Sequence, residues 1–234
     1  MKKKTLKSRK KESRLKSKKI LVTAGPTREK IDSVRFLSNM STGKMGYAVA
    51  QSLAEKGALV ILVSGPVALS IKHPNIEVVQ VISAREMYEK SVKVFTHCDG
   101  AILSAAVSDY TPVRELKKKI KRRKENLIIE LKPTDDIAET LGRMKKKKQV
   151  IAGFALESDN EIQNAIRKIK KKNLDFIVLN SLQDDGAGFG TDTNIITIID
   201  RDNNIEKFEL KLKKEAAEDI INKFEEYFKE GEEG

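Results

Sequence analysis

The residues KILVTA (19–24) run into GPTREKIDSVRFLSNMST (25–42) and then into GKMGYAVAQSLAEKG (43–57). The first piece is a short apolar, β-branched run. A central parallel strand needs such a run, because helices cover both faces of its sheet and leave no polar side. The third piece places Met45, Ala48, Val49 and Leu53 on one helical face, with Gly57 at the usual position of a helix C-terminal glycine. Strand, long loop and helix in that order open a βαβ unit.

Outward from this unit the pattern repeats. ALVILVS (58–64), IEVVQV (76–81), GAILSA (100–105), QVIAGFA (149–155) and LDFIVLN (174–180) read as further buried strands. Ser83 with Glu86, and Ser158 with Glu161, are capping-box pairs that open two more helices. In the second of these, Ile162, Ala165, Ile166 and Ile169 make the apolar stripe, and Lys168 and Lys172 stand one turn apart on the other side. Two stretches break the alternation. Residues 104–132 hold a loop, the basic run KKKIKRR (117–123) and an expected strand at 127–131. Residues 194–211 read as two antiparallel strands joined at DRDNN, before an amphipathic helix at 213–229. The expected fold is α/β: a Rossmann-like, mostly parallel sheet with helices on both faces and a small antiparallel extension.

At 234 residues the chain can bury a substantial core without disulfides. The net charge of +12 is unevenly distributed. Residues 1–19 hold eleven of the 46 Lys and Arg and one of the 34 acidic residues, so 35 basic face 33 acidic residues in the rest. The expected division is a basic flexible tail at 1–17 and a single domain at 18–234. The tail lacks the apolar stretch of a secretory signal and the interleaved aromatics of a nucleic-acid arm, and no apolar run reaches membrane-spanning length. The lone Cys98 forbids an internal disulfide and fits a reducing cytoplasm. His73 and His97, far apart and with no second cysteine, do not make a zinc site.

In an open α/β sheet, ligands bind beyond the carboxyl ends of the strands. Four such loops are rich in small, hydroxyl or acidic residues: that following the first strand, AAVSDYTP after the fourth, FALES after the fifth and NSLQDDGAGFGTDTN after the sixth. The first is neither a G-x-G-x-x-G fingerprint nor a Walker A loop. Its STGKMG (41–46) opens a helix, where free amides and the dipole attract an anion. The same residues also suit a plain structural role, with Ser41 or Thr42 as N-cap. The basic run can be a solvated face or a flap that brings lysine to phosphates, and Lys168 and Lys172 share that ambiguity.

Six pieces in order decide between these readings: ILVTAGPTREKIDSVRFLSNMSTGKMGYAVA, SAAVSDY, a lysine-rich KIK, GFALE, RKIKKKNLDFIVLN and FGTDTN. Together, over residues 18–226, the chain closely resembles the bacterial phosphopantothenoylcysteine synthetases. Many members of that family are fused behind a flavin-dependent decarboxylase, and no flavin is expected in this chain. The resemblance implies a cytoplasmic, homodimeric ligase that uses CTP and Mg2+ to turn the carboxylate of 4'-phosphopantothenate into an acyl-cytidylate, which the amine of L-cysteine then attacks. It implies that Asn39 contacts the acyl-cytidylate, that Ser41 and the amides through Gly43 bind phosphate or the intermediate beside it, and that Ala105, Ala106 and Asp109 bind the nucleotide. It assigns Lys119 to the flap and to the first half-reaction, and Phe154, Lys168 and Lys172 to CTP. KPTDDI (132–137) departs from a family lysine followed by PDI, so that the nucleotide contact is spread over Thr134, Asp135, Asp136 and Ile137. No metal ligands are implied. Two rival readings stand beside this one, a nicotinamide-dependent oxidoreductase and a nucleic-acid-binding protein acting through its tail. The first lacks its glycine fingerprint.

Overall fold

The computed structural model describes residues 12–122, 124–157, 159–181 and 190–230. The chain runs β1 (Lys19–Ala24), α1 (Lys44–Glu55), β2 (Leu59–Ser64), β3 (Ile76–Gln80), α2 (Ala84–Phe95), β4 (Gly100–Leu103) and α3 (Ile137–Met144). It continues through β5 (Val150–Glu157), α4 (Glu161–Lys171), β6 (Phe176–Ser181), β7 (Thr197–Asp200), β8 (Ile205–Lys207) and α5 (Lys213–Glu230). These strands form one sheet in the spatial order 8-7-6-5-4-1-2-3. The first six are parallel, in the 3-2-1-4-5-6 order of doubly wound sheets, and β7 and β8 add the antiparallel extension.

Alternate residues of each strand feed two cores. Ile20, Val22, Val60, Leu62 and Ile102 face α1 and α5, where Val49, Leu53, Ile220 and Phe224 are buried. Leu21, Ile61, Val63, Ala101 and Ile151 face α2, α3 and α4 through Met87, Phe95, Leu141, Ala165 and Ile169. Each of the larger side chains, the alanines aside, contributes roughly 1.5–3 kcal/mol when taken from water, and the two layers fix the sheet between them. Cys98 is a packing residue on the second side, and burial pushes its thiol up to about 11. No helix among the described residues is long and apolar enough to cross a membrane.

Several local expectations change. The domain begins before residue 18: Leu15 is fully buried in the first core, and Ser13 and the Arg14 amide both bond Glu225 of α5 at 2.8 Å. Residues 12–17 therefore belong to the folded unit because an apolar anchor and two hydrogen bonds hold them. The strand expected at 127–131 lies instead at Leu131–Pro133, antiparallel to Tyr110–Pro112. Leu127 and Ile128 stay exposed, at 54% and 90%, outside both apolar cores of the described residues. The first loop contains an unforeseen hairpin, Arg28–Lys30 with Phe36–Ser38, and α3 was not foreseen at all. Ser83 caps α2 through the Glu86 amide, whereas Ser158 lies outside the described residues and α4 starts after Asn160 in a left-handed conformation.

Candidate active site

The strand order reverses between β1 and β4, and a cavity of about 550 Å³ opens at the carboxyl ends of these strands. The loop after β4 forms a rigid shelf on one side. The Ala106 amide bonds the Gly25 carbonyl at 2.9 Å, the Ser108 amide bonds Thr27 Oγ1 at 3.0 Å, and Thr134 Oγ1 donates to the Ser108 carbonyl at 2.7 Å. Ala105, Ala106 and Asp109 thereby line the cavity, the two alanines adding little bulk of their own.

Opposite the shelf stands the start of α1. Its N-cap is Gly43, at φ +78° and without a side-chain cap, so neither Ser41 nor Thr42 is the N-cap. Ser41 Oγ instead takes the Gly43 amide at 3.3 Å. A Cβ on Gly43 would lie 2.8 Å from Val67 Cγ1, so both the backbone sign and the space call for glycine. An uncapped helix start keeps its first amides for a ligand.

Asn39 is tied to the shelf. Its Nδ2 donates to the carbonyls of Ala106 (3.0 Å) and Val107 (3.1 Å), which leaves Oδ1 as the working acceptor. Phe154 of β5 lines the floor, and Lys168 and Lys172 enter from α4. Both lysines hold carboxylates: Lys168 Nζ lies 2.5 Å from Glu157 and Lys172 Nζ 2.8 Å from Asp136. Burial draws the Asp136 carboxyl upward, but Lys172 and the Glu139 amide outweigh it and keep it below the usual range. Thr134, Asp135, Asp136 and Ile137 line the same wall, and Asp136 is the N-cap of α3.

Of the expected site residues, all but one line this cavity. Lys119 does not: it is exposed on the 113–130 flap, outside the lining of its own chain's cavity. The lining residues not anticipated as site residues include the polar Lys44, Asn180, Asn194 and Lys213. Asn194 Nδ2 bonds Asn180 Oδ1 at 3.2 Å, and Lys44 Nζ bonds Asp192 at 2.7 Å. Lys213 is buried and donates to the Thr191 and Thr193 carbonyls, and burial followed by the nearby Lys44 lowers its pKa. The GTDTN segment (190–194) was the available signal for Asn194.

Comparison with known proteins narrows what such a cavity serves. Residues 15–227 match the family described as the DNA/pantothenate metabolism flavoprotein C-terminal domain. The chain belongs to this family. A solved relative, the C-terminal domain of the coenzyme A biosynthesis bifunctional protein CoaBC, is 41% identical, covers 92% of this chain and 98% of its own, and superposes with a TM-score of 0.79. The CoaBC protein of Bacillus subtilis (strain 168) is 44% identical over 207 residues, 88% of this chain and 51% of that protein. A cysteine/cysteine sulfinic acid decarboxylase from an unknown prokaryotic organism is 57% identical over 212 residues, 91% of this chain and 59% of that protein. The chain thus spans between half and three fifths of these two curated relatives. The resemblance to the phosphopantothenoylcysteine synthetases and the Rossmann-like α/β fold both hold.

Proposed function

We propose that the chain is a ligase of coenzyme A biosynthesis that joins 4'-phosphopantothenate to L-cysteine through an acyl-cytidylate made from CTP. The observation that carries this reading is the meeting of Asn39, the uncapped start of α1, the Ala105–Asp109 shelf and the α4 lysines around one cavity. A carboxylate acylates poorly because its leaving group is poor, and a mixed anhydride with a nucleotide removes that barrier. The carboxylate oxygen attacks the α-phosphorus of CTP, and pyrophosphate leaves. The cysteine amine then attacks the activated carbonyl, and CMP leaves.

Each residue has a part in this scheme. Amides at the start of α1 and the Ser41 hydroxyl face the phosphates, and Lys168 and Lys172 exchange their carboxylates for nucleotide. Asn39 Oδ1 accepts from the incoming amine and orients its lone pair. The small Ala105 and Ala106 let the nucleotide approach backbone, and Phe154 supplies an apolar contact. A magnesium ion on the triphosphate would offset the charge of the departing pyrophosphate. Asp109 and Asp135 would hold it, being cavity carboxylates that no salt bridge engages among the described residues.

Lys119 acts on the cavity of a second copy. In support, Val34, Phe36, Met40, Leu127 and Ile128, all on or beside the hairpin and flap, are 46–90% exposed, an apolar surface suited to a homodimer. A flavin-dependent decarboxylase half or partner, as the bifunctional relatives suggest, would supply the next step. The deciding assay is pyrophosphate release, which should require both CTP and phosphopantothenate; folded protein that releases none with CTP or ATP overturns the proposal.

A further inference from the structure

The sequence IDSVR (31–35) places an aspartate in the turn of the Arg28–Ser38 hairpin, where its carboxylate is fully buried although it belongs neither to the sheet nor to the cavity lining. Its two oxygens divide their work. Asp32 Oδ1 accepts the amides of Val34 (2.8 Å) and Arg35 (2.9 Å), which closes its own turn. Oδ2 accepts Arg35 Nε (3.0 Å), Arg35 Nη2 (2.6 Å) and, from 88 residues away, the Ile120 amide (3.0 Å). Arg35 Nη2 then donates to the Ile120 carbonyl at 2.8 Å. Both backbone polar groups of Ile120 are therefore held by one ion pair, whose carboxylate is buried and whose guanidinium is part-exposed.

Nearby contacts extend the grip along the flap. The Leu116 amide bonds the Ile31 carbonyl at 3.1 Å, Asp32 and Leu116 form a parallel bridge, and Lys30 meets Glu115 at 3.5 Å. Between these anchors the chain presents the exposed Lys117, Lys118 and Lys119. A segment so rich in lysine has almost no apolar surface of its own to bury, so little besides this clamp can order it. Hydrogen bonds to a buried, ionised carboxylate are among the strong ones available to a loop.

We propose that Asp32 is the positioning residue of the flap: its Oδ2, with Arg35, fixes Ile120 and so sets where the neighbouring Lys119 projects. The effect on catalysis rests on the ligase reading above, whereas the effect on the flap does not. Asp32→Asn is the discriminating variant, because an asparagine oxygen can keep the turn at Val34 and Arg35 while its amide cannot accept from Ile120.

The experiment combines three readouts on the full chain. Timed trypsin cleavage, at a temperature where both proteins stay folded, should show faster cutting at Lys117–Arg122 in Asp32→Asn, with other sites nearly unchanged and the thermal midpoint lowered by the lost carboxylate contacts. Pyrophosphate release should fall about tenfold. Asp32→Asn should add nothing further in a Lys119→Gln background, since a residue acting through Lys119 has no effect once that lysine is gone. Flap cleavage at the wild-type rate, equal acceleration of cleavage throughout the chain, or losses that multiply in the double variant would each overturn the proposal. Wild-type protein that releases no pyrophosphate would refute the ligase reading and leave the trypsin comparison to decide the clamp alone.

Discussion

Asn39 spends both amide hydrogens on the carbonyls of Ala106 and Val107, and this sets what an exchange for aspartate does. The carboxylate of Asn39→Asp cannot donate, and it faces two carbonyl oxygens at hydrogen-bond distance. The side chain must turn away from the shelf. We expect the first turnover to keep its pyrophosphate burst while amide formation drops by roughly a hundredfold, the effect of about 2.7 kcal/mol, in a rapid-quench measurement of both products. Equal loss of both steps would remove Asn39 from the second half-reaction. At this scale most of the site was legible because the residues stand in compact motifs directly after strands. Lys213 was not, since it sits beside Lys214 in a helix start, and only the fold brings it next to Lys44. Asn180 was hidden at the end of a strand whose neighbours are apolar.

The elements show where local pattern runs out. Helix α3 was missed because IAETLGRM is short, contains a glycine and precedes four lysines, so neither length nor periodicity marks it. Its start was present in the departure from the family pattern: Asp136 takes the Glu139 amide at 2.9 Å and caps the helix. Gly142 then lets α3 pass the end of α4, since a Cβ there would stand 1.9 Å from the Lys172 carbonyl. Gly142→Ala should therefore cost about 1–3 kcal/mol in urea unfolding and, by displacing Lys172, raise the KM for CTP. The hairpin beside the flap yields a pH prediction. The Ile120 amide and Arg35 hold the Asp32 carboxyl far below the usual carboxylate range, against the upward pull of burial. A group whose folded pKa is lowered stabilises fully above its unfolded value and loses that stabilisation as pH falls towards the folded one. The stability difference between wild type and Asp32→Asn should thus stay constant from pH 8 to about 5 and shrink below about 4, as read from urea midpoints at each pH.

For the whole molecule, the alternation of apolar runs and amphipathic segments announced the layers but not the order of the strands. Order depends on contacts between distant residues, such as the close approach of Gly100 to the Val150 carbonyl, where a Cβ would sit at 2.6 Å and force β4 and β5 apart. Composition likewise located the basic excess near the N-terminus but misplaced the edge of the fold, because one leucine among lysines carries little hydrophobic signal. Leu15 is nevertheless fully buried, and Glu225 ties Ser13 and Arg14 to α5 while Lys56 of the α1 C-terminus holds its other oxygen at 2.7 Å. Two truncations separate charge from fold. Removing residues 1–11 takes away most of the basic excess and none of these contacts, so the thermal midpoint and pyrophosphate release should be unchanged. Removing residues 1–17 also removes Leu15 and should cost about 2–5 kcal/mol, the range for emptying a buried leucine site. If the shorter deletion alone abolished activity together with salt-dependent binding to RNA or DNA, the tail would belong to the function and the nucleic-acid reading would return.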